Sequence, residues 1–344
     1  MSPKSPSLPL TELAARVFAA RVFSEAATVD ASVLAFWGRH RLDVAEVAVP
    51  IDRAILGGAA ADRIAWAFLS GYQAALCALV PTRDPAQLAA LCVTESGGAH
   101  PRAVLSELRA HPSGGRVLDG HKRWSTTVPD VDVLYVVARD GSDVDGRPQL
   151  RVAAIDATRA GVRFAAMPPT PFVPELSHGE VLLEGVLVAE DELLPGDGYA
   201  RYVKPFRTVE DLHVNAAVLA YLLHAARRHE APADLVERLF AAIVCARTLA
   251  AAELDASGTH LALAGLLGIV RPLVDEVVAH LAALAHRADA PADAVAEHAR
   301  LLRDLPLLGI ASKAREIRRA NAWASLATDL HGSSTVAERP APPR

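Results

Sequence analysis

The sequence predicts an α+β chain: an N-terminal helical domain, a central antiparallel β-barrel or sandwich, and a C-terminal helical bundle. Three observations carry this. Hydrophobic residues make up 51% of the 344 residues, yet aromatics are only 5% and alanine and leucine dominate, a bias that suits packed helices. Glycine, proline and β-branched runs concentrate in the middle third, between 89 and 198. Apolar residues at helical spacing fill both flanks. The corresponding boundaries are 1–88, 89–198 and 199–344.

In the first block, "TELAARVFAARVFSEAA" keeps apolar residues on one helical face, and "AADRIAWAFLSGYQAALCALV" does so again before "PTRDP" ends the run. The glycine pair in "ILGGAAAD" reads as a turn between helices. In the second block, "LYVVAR", "QLRVAAI", "GVRFAAM" and "EVLLEGVLV" read as strands, with "ARDGSDVDGRPQ" as a turn. From Val131 to Ala138 only Asp132 interrupts the apolar residues, so that strand is expected to be covered on both faces. In the third block, Leu212, Ala216, Leu219 and Leu223 share a helix face, as do Leu273, Val277, Leu281 and Leu284. Pro232 and Pro291 stand near helix starts, where a missing N–H costs nothing.

Composition excludes several function classes. The net charge of -5 gives no basic footprint for nucleic acid. Cys77, Cys92 and Cys245 are far apart and odd in number, which argues against a disulfide framework or a zinc site. No apolar run is long enough to span a bilayer, and the N-terminus lacks a secretory signal, so a cytoplasmic location is expected. Neither G-x-S-x-G nor H-E-x-x-H is present, which leaves hydrolase and metalloprotease readings without support.

Two segments point to chemistry. "LCVTES", residues 91–96, precedes "LDGHKRWSTT", residues 118–127, and in the second an indole stands beside a row of hydroxyls. Together with the order helices, β-domain, helices, these resemble the acyl-CoA dehydrogenase family. That family carries a T-E-P-x-x-G-S-D-like segment, then G-x-K-x-W-I-T. Thr94 and Glu95 match the first; Gly120, Lys122, Trp124 and Thr126 match the second. "GVLVAEDELLPGDG" is similar to the family's exit from the β-domain. The resemblance implies a flavin, FAD, with Trp124 as its aromatic wall, Thr126 donating to N5, Ser125 beside it, and Cys92, Val93 and Thr94 holding the pyrimidine edge. It also implies an acyl-CoA or other small acyl substrate and a homodimer or homotetramer. The bland alternative is that Trp124 anchors a core and the hydroxyls cap a turn.

The departures from the family pattern are specific. "GGAHP" replaces G-S-D and puts His100 where a substrate or flavin contact is expected. The R-x-x-F-G segment is absent. "ATDLHG" puts Asp329 where the family has glutamine and Gly332–Ser333 where it has two glycines. The first helical block is shorter than the family's, and the chain ends before the helices that carry many members' catalytic glutamate. Other members keep that glutamate on the first helix after the β-domain, which aligns with Glu210 in "RTVEDLHV". Glu210 is therefore the candidate base; the alternative is that Glu210 and Asp211 serve the helix dipole in a first turn. Two functions follow: a flavin-dependent dehydrogenase of an acyl thioester or related small substrate, or a degenerate homologue that keeps the fold as a partner subunit or scaffold.

Overall fold

The protein is described by a computed structural model covering residues 7–20, 32–98, 100–142 and 146–332. Four helices come first: α1 (Leu10–Ala19), α2 (Val33–Asp43), α3 (Pro50–Ala60) and α4 (Ile64–Leu79). The continuation of the first predicted helix past Ala20, residues 21–31, lies outside the described residues. Seven strands follow: β1 (Ala89–Cys92), β2 (Glu107–Ala110), β3 (Arg116–Thr126), β4 (Val133–Ser142), β5 (Pro148–Asp156), β6 (Val162–Ala166) and β7 (His178–Val188). Then come α5 (Lys204–Arg228), α6 (Ala233–Ala250), α7 (Ser257–Ala285), α8 (Ala292–Asp304) and α9 (Ser312–Gly332). Pro232 and Pro291 are the residues immediately before α6 and α8.

The strands form one curled sheet in the order β1-β4-β2-β3-β7-β6, with β5 on β4. Most pairings are antiparallel; β4 takes β1 and the start of β2 as parallel neighbours. The register of β4 shows why its residues are apolar on both faces. Leu134, Val136 and Ala138 point into the sheet's inner core, and Tyr135 and Val137 into a second core against α4. Asp132 interrupts the run because its carboxylate accepts the Leu88 N–H at 2.7 Å.

Helices from both ends of the chain share a third core. Within it α5 is buried all round, which is why its sequence shows no polar stripe. The glycine pair Gly57–Gly58 lies inside α3, which corrects the reading of a turn. A Cβ at Gly58 would sit 2.1 Å from the Ala217 carbonyl oxygen of α5, and one at Gly57 would sit 2.2 Å from His40 and Ser70. Gly58 thus lets the α5 backbone approach, and Gly57 leaves room for the His40 and Ser70 side chains. Among the described residues no helix is long and apolar enough to cross a membrane.

Candidate functional site

The two sequence segments meet where β1 ends and β3 runs beside it. The Arg123 N–H donates to the Thr94 carbonyl at 2.8 Å. Below this contact lies a buried ion pair that the sequence reading left without a role. The Glu95 carboxylate accepts from the Lys122 ammonium at 2.6 Å, from the Leu105 and Ser106 N–H groups at 2.7 and 3.0 Å, and from the Ser106 hydroxyl at 2.7 Å. Lys122 is fully buried and also donates to the Val137 carbonyl. Gly120 belongs to the same assembly, since a Cβ there would lie 2.1 Å from Ser106 Oγ. Burial opposes ionisation of Glu95, but the charge and hydrogen bond of Lys122, helped by Ser106, hold its carboxyl below the ordinary value. Of the three basic residues His121, Lys122 and Arg123, Lys122 is internal, while His121 and Arg123 both reach Glu180.

Past this clamp the β3–β7 pairing slips between Lys122 and Ser125. Trp124 takes φ 58° and Thr127 takes φ 66°, so two left-handed residues bracket Ser125 and Thr126. For an aromatic residue that backbone costs about 1–2 kcal/mol, and such strain clusters at functional sites. Its consequence is that the indole turns out of the sheet. Trp124 is 46% exposed, so it is not a core anchor. The indole packs edge-to-face with His178 at 6.3 Å, and its backbone N–H points at Met167 Sδ, 3.1 Å away. Beside them opens a cavity of about 430 Å³ whose lining includes Val128, Pro129, Phe164, Met167, Leu176 and His178. Ser125 is buried, and among the described residues its hydroxyl has the Cys92 thiol as its neighbour and no stronger hydrogen-bond partner. Thr126 is half-buried. An open indole face, a buried hydroxyl held only by a thiol and a neighbouring threonine fit the wall and polar edge that a flat heterocycle requires.

Cys92 closes β1, and burial pushes its thiol up to about 11 against the opposing influence of Ser125 and Lys122. Val93 and Thr94 follow it, half-buried. Leu91, one residue earlier, donates its N–H to the phenol oxygen of Tyr72 on α4 at 3.0 Å. Tyr72 is buried between Phe68 and Phe206, with ring centroids 5.9 and 6.0 Å away. Burial raises its phenol well above the ordinary value, and Leu91 and the Thr126 side chain pull against that rise. Glu210 also acts on this phenol. Tyr72 thus stands between the flavin-segment candidates and the candidate base. The sequence reading missed it, because within the uninterrupted apolar run of α4 it looks like any other core aromatic.

Glu210 corrects one expectation. α5 begins at Lys204 and is preceded by a π-turn over Tyr199–Val203, so Glu210 stands nearly two turns inside the helix, beyond the reach of its dipole. Its side chain is only 12% exposed. Burial raises its carboxyl above the ordinary value, Asp211 adds to the rise, and Arg207 and Arg315 oppose it. Arg207 reaches it as an i,i+3 ion pair. Asp211, its neighbour, faces the other way and pairs with Arg315 and Arg318 of α9 at 2.7 Å each. Arg315 and Arg318 thereby anchor α9 to α5.

His100 does not join this group. It is exposed, and its Nδ1 accepts the Arg102 N–H at 3.2 Å, capping a short 3-10 turn. Among the described residues no hydrogen bond or ring contact links it to Trp124, Thr126 or Glu210. Asp329 lies on α9, but its side chain, like Ser333, is outside the described residues.

Similarity to known proteins lies in the fold. No protein-family model matches the chain, and no curated protein does. Solved structures do match. One is FMN-bound TdsC from Paenibacillus sp. A11-2, at TM-score 0.64 and 18% identity, over 91% of this chain and 96% of that one. Another is a putative acyl-CoA dehydrogenase from Mycobacterium smegmatis, at TM-score 0.61 and 15% identity, over 92% and 96%. Butyryl-CoA dehydrogenase from Megasphaera elsdenii matches at TM-score 0.58 and 16% identity, over 80% and 81%.

Proposed function

On the premise that the chain has the acyl-CoA dehydrogenase fold, we propose that it is a flavin-dependent oxidoreductase that removes two hydrogens across the α,β bond of an acyl thioester or related small substrate. The cofactor in this reading is FAD, and the working form is a homodimer or homotetramer. The observation that carries the reading is Trp124, held on a strained backbone with its indole open at the end of β3.

The bound flavin would supply the acceptor for the β-hydride. The chain's own residues do the rest. Trp124 would wall the ring, Thr126 would donate a hydrogen bond to its polar edge, and Cys92, Val93 and Thr94 would present backbone groups to the other end. Glu210 takes the α-proton onto a carboxylate oxygen as the β C–H electrons leave and the C=C bond forms. An α-proton is weakly acidic, so a carboxylate whose basicity is raised by burial is what the step needs. The Arg207 ion pair opposes that rise.

Two measurements test this. The purified protein should be yellow, or turn yellow and retain the colour after FAD is added and excess removed. Acyl thioesters should then bleach it, and Glu210→Gln should slow bleaching at least about a hundredfold while leaving the colour. A protein that stays colourless with FAD would replace this reading with that of a fold-retaining partner subunit. A Glu210→Gln protein that bleaches at the original rate would remove Glu210 as the base.

A further inference from the structure

A second cavity, of about 480 Å³, lies between the start of α5, the start of α7 and the middle of α9. Its lining includes Lys204, Arg207 and Thr208 from α5, His260 from α7 and Arg318 from α9. Nothing in the proposed reaction uses it. We propose that this cavity binds a phosphoryl anion, and that the bound anion draws Arg207 away from Glu210.

Three cations face the space from two directions, against one lining carboxylate, Asp255. Arg318 spends part of its guanidinium on Thr208 Oγ1, at 3.2 Å, and on Asp211, at 2.7 Å. Among the described residues Arg207 has one ion-pair partner, Glu210, and its side chain is 45% exposed. No ion pair engages Lys204 among the described residues. The cations converge on His260: burial lowers its imidazole below the ordinary value, and the charges of Arg318 and Lys204 lower it further, against the Leu254 carbonyl and Asp255. A tetrahedral anion accepts hydrogen bonds from several directions at once. Two guanidiniums, an ammonium and the hydroxyls of Tyr199, Thr208 and Ser257 therefore suit a phosphoryl group better than a planar carboxylate.

Coupling follows from Arg207 serving both places. A phosphoryl group seated between Lys204 and Arg318 competes with Glu210 for that guanidinium. Removing Arg207 removes the main charge that holds the Glu210 carboxyl down, so anion binding would make Glu210 the stronger base. This consequence rests on the proposed function; the site itself does not.

Isothermal titration of the full chain with inorganic pyrophosphate at low salt tests both parts without any reference to flavin. Lys204→Gln should weaken binding about tenfold, as loss of one charged hydrogen-bond donor does. The control Lys313→Gln, an exposed α9 position outside the cavity, should leave the affinity within about twofold. Glu210→Gln frees Arg207 and should tighten binding severalfold. Coenzyme A displacing pyrophosphate would assign the anion to a larger carrier; pyrophosphate that binds undisturbed by coenzyme A would assign it to free phosphate. Absence of binding at millimolar pyrophosphate, or equal affinities for Lys204→Gln and the parent, overturns the site. Unchanged affinity in Glu210→Gln overturns the coupling. A colourless protein that binds pyrophosphate as described keeps the site while losing the dehydrogenase reading.

Discussion

Lys122→Met keeps the bulk of a fully buried side chain and removes its charge. The partner left behind, Glu95, has a side chain only 4% exposed. Removing one member of a buried ion pair costs about 3–5 kcal/mol, because the surviving charge is neither solvated nor paired. Here three donors remain on the carboxylate: the N–H groups of Leu105 and Ser106 and the Ser106 hydroxyl. The Val137 carbonyl also loses its ammonium donor. We therefore expect the lower end, about 3 kcal/mol, seen in thermal unfolding by circular dichroism as a fall of several degrees in Tm. Adding Glu95→Gln removes the stranded charge, and the double variant should recover about half of the loss. A single-variant loss below about 1 kcal/mol, or a double variant whose losses simply add, would refute the view that these residues clamp the segments on either side of Trp124.

Other perturbations read other parts of the structure. Gly58→Ala should destabilise by about 2 kcal/mol or more despite alanine's better helix propensity, since its methyl would press on the Ala217 carbonyl; an unchanged midpoint in urea would contradict the packing of α3 on α5. Trp124→Gly should relieve about 1 kcal/mol of left-handed strain and sacrifice little packing, so Tm should hold or rise while retention of added flavin is lost; a variant that still turns yellow would remove Trp124 from the site. Asp211→Asn should loosen α9 by about 2–3 kcal/mol, because Arg315 and Arg318 both lose their carboxylate; limited proteolysis at α9 should accelerate, and an unchanged cleavage rate would count against that anchor.

The order of structure, helices, a glycine-punctuated sheet, then helices, was legible in the sequence, because period and composition are local properties of the chain. The sequence also determined which two segments carry the resemblance, and both run to the same edge, Thr94 beside Arg123. Tertiary structure decided what each residue in them does. Glu95 and Lys122 look like ordinary surface charges until the fold buries them against each other. Tyr72 and Gly58 become specific only when a strand end or a distant helix arrives beside them. Glu210 differs from its expected place because the helix starts earlier than its sequence signals, and burial then acts where a dipole was expected. His100 caps a local turn, a role that the neighbouring Pro101 and Arg102 set. Desolvation, close approach and charge pairing depend on neighbours far away in the chain, and those neighbours are set by packing.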